Sequence, residues 1–110
     1  METKSLNQFI RTAEKLGVHV NSFDSYIEIQ YYTKHGGEEI IEVDKNENLA
    51  QYLADYDESY DPSEETYIWL DETGHGKNGA PHDMRDILAD KEEWEGKIEE
   101  LAMVAAKCKL

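Results

Sequence analysis

The stretch from Gly74 to Asp83 holds the residues most typical of an enzyme. Two histidines, His75 and His82, stand seven positions apart, and Asp83 follows the second. Imidazole and carboxylate groups in this arrangement can ligate zinc, or they can act as a general base and the group that orients it. A closed zinc site needs further ligands, and the single cysteine, Cys108, is remote in the sequence. We therefore interpret the stretch as a loop, and a metal-dependent enzyme using His75 and His82 remains an alternative.

A second candidate is a calcium-binding loop that begins at Asp55. Aspartate and serine occupy its odd positions, as in an EF-hand: Asp55, Asp57, Ser59, Asp61 and Ser63. The sixth position, where the motif requires glycine, is Tyr60, and the twelfth, where it requires glutamate, is Thr66. Both departures remove geometry that calcium coordination needs, so the sequence predicts neither a metal site nor a cofactor.

The acidic residues are concentrated in the middle third of the chain. Residues 38–72 contain thirteen acidic residues and one lysine, so they carry −12 of the net charge of −14. A dense anionic surface repels nucleic acid and anionic membranes, and it attracts basic protein surfaces. Twelve excess charges match those on roughly 20 Å of duplex DNA, which carries about one charge per 1.7 Å. The expected partner is a basic protein that binds nucleic acid, with solubility alone as the simpler interpretation.

Length and composition indicate one folded domain, residues 1–110. Hydrophobic residues make up 39% of the chain, which is low, but seven Tyr, two Trp and two Phe can bury large areas. The sequence lacks an apolar run of membrane-spanning length, an N-terminal signal peptide and a second cysteine for a disulfide. We therefore expect a cytoplasmic protein, either a monomer or a homodimer.

Apolar spacing predicts a helix at each end of the chain. The first is capped by Ser5 and stopped by Gly17, with apolar positions Leu6, Phe9, Ile10, Ala13 and Leu16. The last is long and opens at Pro81 or His82, with an apolar stripe of Met84, Ile87, Leu88, Trp94, Ile98, Leu101, Ala102 and Ala105. A short helix is predicted over Asn46–Asp55, with Leu49, Tyr52 and Leu53 facing inward.

Alternating residues predict the strands. Tyr26–Thr33 and Glu38–Asp44 form a hairpin around the turn His35–Gly37, and Thr66–Asp71 is predicted as a third strand. Val18 and Val20 indicate a further short strand. Asp57–Glu65 and Thr73–Ala80 are predicted as loops. The fold class is therefore α+β, with a sheet of about three antiparallel strands packed by the N-terminal and C-terminal helices.

One face of this sheet is expected to bind the partner. It would display carboxylates of the hairpin beside aromatic side chains, including Tyr26, Tyr32, Tyr67 and Trp69. Charges steer association, and Trp and Tyr tend to carry the binding energy. The predicted partner-binding residues are Glu28, Glu38, Glu42, Asp44, Asp55, Asp57, Glu58, Asp61, Glu64, Glu65, Tyr67, Trp69, Asp71 and Glu72. No catalytic residue is predicted.

Small size, strong acidity over Glu38–Glu72 and abundant tyrosine together resemble the phage and mobile-element proteins that block host defence. These include anti-CRISPR and anti-restriction inhibitors, many of which mimic DNA in charge. The resemblance is to a class and implies a protein that occupies the DNA-binding groove of a nuclease without catalysis. An alternative is an immunity protein or antitoxin that neutralises one cognate nuclease toxin through the same surface.

Overall fold

The computed structural model describes residues 1–73 and 84–110, and of residues 71–73 it describes the backbone alone. The elements, in chain order, are α1 (Thr3–Lys15), β1 (His19–Ser22), β2 (Tyr26–Tyr32), β3 (Glu38–Asp44), α2 (Leu49–Ser59), α3 (Pro62–Thr73) and α4 (Met84–Lys107). The three strands form one antiparallel sheet in the order β1-β2-β3. This confirms the predicted α+β class, with its three-stranded sheet, N-terminal helix and long C-terminal helix.

The third strand of the sheet is the short one that Val18 and Val20 indicated, and not Thr66–Asp71. Strand β1, where Val20 is buried, pairs with β2 from His19↔Gln30 to Ser22↔Ile27. The predicted strand Thr66–Asp71 lies inside helix α3, so that prediction was wrong. Over residues 1–73 and 84–110, the element order is therefore one helix, three strands and three helices.

Helix α3 forms because its first turn carries strong start signals. Pro62 is the first helical residue, where its missing N–H is no loss, and Glu64 and Glu65 lie at the positive end of the helix dipole. The Asp61 carboxylate accepts a hydrogen bond from the Ser63 backbone N–H at 3.0 Å. These local signals outweigh the strand propensity of the aromatic residues that follow.

The predicted acidic loop Asp57–Glu65 was also wrong, because helices occupy most of it. Helix α2 begins after Asn48, whose side chain accepts a hydrogen bond from the Gln51 backbone N–H, and it continues to Ser59. Leu49 and Leu53 are buried as predicted. The acids of this segment therefore lie on two helices and the short connection between them.

The hairpin and its two faces follow the predicted alternation. Ile27, Ile29 and Tyr31 are buried on the inner face of β2, where Ile27 pairs with Val43 and Tyr31 pairs with Glu39. The turn closes through a 2.9 Å hydrogen bond from the Thr33 N–H to the Gly37 carbonyl. The side chains that alternate with these point away from the core.

The core lies between the inner sheet face and the helices. Leu6, Phe9 and Ala13 of α1 are buried, and Gly17 ends that helix with a φ of +82°. Helix α4 buries most of its predicted stripe: Ile87, Trp94, Ile98, Leu101 and Ala105. Leu88 and Ala102 are half-buried, and Met84 is 44% exposed. The predicted opening of α4 at Pro81 or His82 lies outside the described residues.

Candidate functional site

The outer sheet face carries four of the predicted carboxylates. We use this name for the side chains of β2 and β3 that point away from the core: Tyr26, Glu28, Gln30, Tyr32, Glu38, Ile40, Glu42 and Asp44. Glu38, Glu42 and Asp44 are exposed and Glu28 is half-buried. The sheet therefore brings together Glu28, Glu38, Glu42 and Asp44, as the alternation predicted.

Two of these carboxylates oppose each other directly. Glu28 and Glu42 are cross-strand partners in the β2–β3 register. Side chains at directly opposed positions have Cβ atoms about 4.5–5.5 Å apart, and like charges there destabilise a sheet. The Asn21 side-chain amide donates to Glu28 at 3.2 Å and is neutral, so it does not compensate the charge. The repulsion between these two carboxylates raises the free energy of the folded chain on its own. A cation bound beside them would relieve that repulsion.

Neutralising one member of the pair should stabilise the protein. We expect Glu42→Gln to raise the free energy of unfolding by about 0.5 kcal/mol at low ionic strength, because cross-strand pairs contribute roughly 0.2–1 kcal/mol. The gain should shrink at 1 M salt, where the screening length is about 3 Å. Urea denaturation at both salt concentrations measures it, with the exposed Glu58→Gln of α2 as control. A stability loss in Glu42→Gln would show that the pair is not repulsive.

Apolar and aromatic groups lie among these charges. Tyr32 is 56% exposed and Ile40 is 46% exposed on the outer sheet face. Phe23, in the β1–β2 turn, is 44% exposed and stacks on Tyr26 with ring centroids 4.8 Å apart. Phe23 and Ile40 were not among the predicted partner-binding residues. An Ile in the outward register of a strand was the available signal for Ile40.

Tyr67 and Trp69 lie on helix α3 and not on the sheet. Their predicted position on the sheet was therefore wrong, because the segment is helical. Tyr67 is 61% exposed, whereas Trp69 is half-buried and borders a cavity next to the hairpin turn. Of the four aromatic residues predicted for the outer sheet face, Tyr26 and Tyr32 lie on it.

The other predicted acids belong to the helices. Partial burial raises the pKa of the Glu95 carboxyl on α4, and the charges of Asp57, Glu99 and Asp61 raise it further. Asp57 and Asp61 therefore belong to a helical acidic cluster, together with Glu92, Glu95 and Glu99. Asp55, Glu58 and Glu64 are exposed on α2 and α3, Glu65 is half-buried, and Asp71 and Glu72 lie in the last turn of α3. The fourteen predicted residues are thus divided between the sheet and the segment that contains helices α2 and α3.

A polar network links the inner sheet face to α4. The Tyr31 hydroxyl donates to the Glu93 carboxylate, which also accepts the Lys34 backbone N–H at 3.1 Å. Burial raises the pKa of Tyr31 to about 12, and the hydrogen bond to Glu93 and its charge add to the effect. Burial also raises the pKa of Tyr56 and of Tyr60. These phenols are therefore held in the neutral form.

We expect an alkaline titration to reveal these tyrosines. Phenolate absorbance from Tyr31 should appear near pH 12, above the usual value of about 10. Because the folded-state pKa is raised, its contribution to stability is full below pH 10 and is lost as the pH rises toward 12. Absorbance at 295 nm, compared between the parent chain and Tyr31→Phe, measures this. Complete titration of the parent chain near pH 10, while the fold persists, would contradict it.

Within residues 1–70 and 84–110, whose side chains the structure describes, no three His, Cys, Asp or Glu side chains group closely enough to hold a metal ion. His75, His82 and Asp83 lie outside those ranges. None of the helices described has both the length and the apolar character to cross a membrane.

Comparison of the chain with protein-family models, with curated protein sequences and with solved structures found no match. In the described part of the chain, the most distinctive surfaces are the outer sheet face and the cavity beside Trp69.

Proposed function

We propose that this chain is an acidic binding protein that occupies the basic nucleic-acid groove of a nuclease, as anti-CRISPR and anti-restriction inhibitors of the DNA-mimic class do. The observation that carries the proposal is the directly opposed pair Glu28 and Glu42 on an exposed sheet face, flanked by Glu38 and Asp44. Such a face is electrostatically unfavourable in the free protein. Arginine and lysine side chains that normally hold phosphates would convert its repulsion into attraction.

The exposed aromatic and aliphatic groups would supply the contact energy. Charges at an interface mainly raise the association rate and select the partner, whereas buried aromatic groups provide much of the affinity. Tyr32 and Ile40 lie among the carboxylates, and the stacked pair Phe23 and Tyr26 lies at the opposite end of β2. The partner would therefore meet anionic and apolar groups on one surface. This mode of inhibition requires no catalytic residue.

The size of the face also constrains the complex. Strands of seven residues are about 23 Å long, and the two strands β2 and β3 span about 10 Å, which gives roughly 230 Å². A standard stable interface buries about 800 Å² on each partner. The partner must therefore reach beyond the sheet, onto the turns at its ends or onto the flanking helices.

A competition experiment tests the proposal. Purified RNA-guided nucleases and restriction endonucleases are each mixed with labelled duplex DNA, and the chain is added at increasing concentration. We expect the chain to displace DNA from at least one of them, with an affinity that falls steeply between 50 and about 500 mM salt, because the attraction is between exposed charges. An unrelated acidic protein of similar charge serves as control. No displacement from any nuclease, or displacement that is indifferent to salt, would refute the proposal.

A further inference from the structure

A cavity of about 260 Å³ lies where the hairpin turn, α3 and the first half of α4 meet. It has an apolar side and a charged side. The residues that matter for its chemistry are Gly37 and Glu39 of the hairpin, Trp69 of α3, and Ile87, Asp90 and Lys91 of α4. Glu38 also borders it. Because Glu38 belongs to the outer sheet face as well, the cavity adjoins that face.

The described residues that line the cavity are mostly negative, with Glu38, Glu39 and Asp90 against Lys91. Lys91 and Glu39 form an ion pair at 2.6 Å, and both side chains are mostly buried. Asp90 is only 5% exposed, and its Oδ1 accepts the His35 backbone N–H at 3.0 Å. In the part of the chain that the structure describes, no hydrogen bond reaches its Oδ2. A buried carboxylate without a cationic partner is costly, which favours a cation in the cavity.

A second buried oxygen lies at the same corner. Thr33 is 7% exposed, and its Oγ1 is buried without a hydrogen-bond partner. A Cβ atom on Gly37 would lie 2.5 Å from Thr33 Oγ1 and 3.2 Å from Asp90 Oδ2. Both oxygens therefore lie close to Gly37, where a side chain would not fit. Of the two residues, Asp90 lines the cavity, so a ligand that donates hydrogen bonds there would satisfy the Asp90 carboxylate.

The residues that line the cavity determine which type of cation would fit it. The Trp69 ring and Ile87 are apolar or aromatic, which suits a planar, weakly hydrated cation that can stack and donate several hydrogen bonds. A compact, strongly hydrated ammonium fits such a wall less well. A guanidinium group has the required planarity, charge and donors, and the volume accommodates it with part of its aliphatic stem.

We propose that this cavity binds the guanidinium group of an arginine side chain, supplied by the protein that docks on the outer sheet face. This inference depends on the proposed function for the source of the arginine and not for the chemistry of the cavity. The arginine would donate to Asp90 Oδ2 at the Gly37 corner and stack against Trp69. It would extend the small sheet interface onto the hairpin turn.

Titration of the full chain with N-acetyl-L-arginine amide, followed by ¹H–¹⁵N NMR, tests the chemistry without any partner. We expect saturable shifts of the Gly37 amide and the Trp69 indole N–H. The neutral isostere N-acetyl-L-citrulline amide should cause none, and N-acetyl-L-lysine amide should bind more weakly. Asp90→Asn keeps an acceptor for the His35 N–H and should weaken arginine binding at least about tenfold, as expected for a lost charged hydrogen bond. Gly37→Ala, which fills the corner, should also weaken it.

The comparison of the arginine and citrulline amides on the wild-type chain tests the proposal even if both variants unfold. Equal responses to the arginine and citrulline amides, or no saturable shift at Gly37 and Trp69, would overturn the guanidinium assignment. Arginine binding without displacement of DNA from any nuclease would support the cavity chemistry and refute the proposed function and the partner as its source. A nuclease complex that forms equally well with Asp90→Asn would overturn the arginine contact while leaving the sheet contact standing.

Discussion

Replacing Trp94 by alanine is expected to lower the free energy of unfolding by about 3–5 kcal/mol, the range for large aromatic residues in a core. Trp94 is fully buried and is among the largest buried side chains. Its ring stacks near Tyr31, with centroids 6.0 Å apart, and meets the edge of Tyr56 at 6.4 Å. Its indole N–H donates to the Tyr56 hydroxyl at 3.1 Å. The residue therefore joins the sheet, α2 and α4.

The loss is large because one side chain connects three elements. A small domain has a total stability of about 5–15 kcal/mol, so the alanine variant should be close to unfolding. Urea denaturation followed by circular dichroism measures the change. Trp94→Phe, which keeps most of the volume but not the hydrogen bond, should lose less. Tyr67→Ala, at a 61% exposed position, should change stability by less than about 0.5 kcal/mol. A loss below about 1 kcal/mol for Trp94→Ala would contradict this account of the core.

Neutralising the outer sheet face should abolish most of the binding to a nuclease. The triple variant Glu28→Gln/Glu38→Gln/Glu42→Gln removes three charges while keeping the side-chain shape. Each charge-assisted hydrogen bond contributes about 1.5–3 kcal/mol, so we expect the affinity to fall by at least about 100-fold at low salt. Isothermal titration calorimetry with the nuclease found by DNA competition measures it.

The matched control removes three negative charges from helices α2 and α3. Asp55, Glu58 and Glu64 are exposed on α2 and α3, and Asp55→Asn/Glu58→Gln/Glu64→Gln lowers the net negative charge by the same amount. If general charge attracts the partner, both variants lose affinity equally. If the sheet makes the contact, the control should lose no more than about threefold, the size of a long-range effect between screened charges. Equal losses would locate the attraction in the overall charge.

The parts of the fold that the sequence predicted well have strong, long patterns. Alternation in β2 and β3 fixed which side chains face the core, since a shift of one residue would have exposed Ile27 and Ile29. The stripe on α4 extends over six turns and identified Trp94 and Ile98. Errors arose at Thr66–Asp71, where four consecutive large side chains suggested a strand. The capping signals at Asp61 and Pro62 decided the outcome instead.

The site was predicted less completely because closeness in sequence is not closeness in space. Glu42 and Glu58 belong to the same acidic run, yet one lies on the sheet and the other on α2. Conversely, Glu38 and Asp90 border one cavity although more than fifty residues separate them. The buried hydroxyl of Thr33 and the close packing around Gly37 depend on how the hairpin turn meets α4. No local sequence pattern predicts the contact between the hairpin turn and α4.

Carboxylate footprinting of the nuclease complex tests the central claim most directly. The free chain and the complex are labelled with a carbodiimide and glycine ethyl ester, and the modified carboxylates are quantified by mass spectrometry. We expect Glu28, Glu38, Glu42 and Asp44 to be protected in the complex, while Asp55, Glu58 and Glu64 react as they do in the free chain. Protection of the helical carboxylates, with the four sheet carboxylates still reactive, would show that the partner binds elsewhere and would contradict the account.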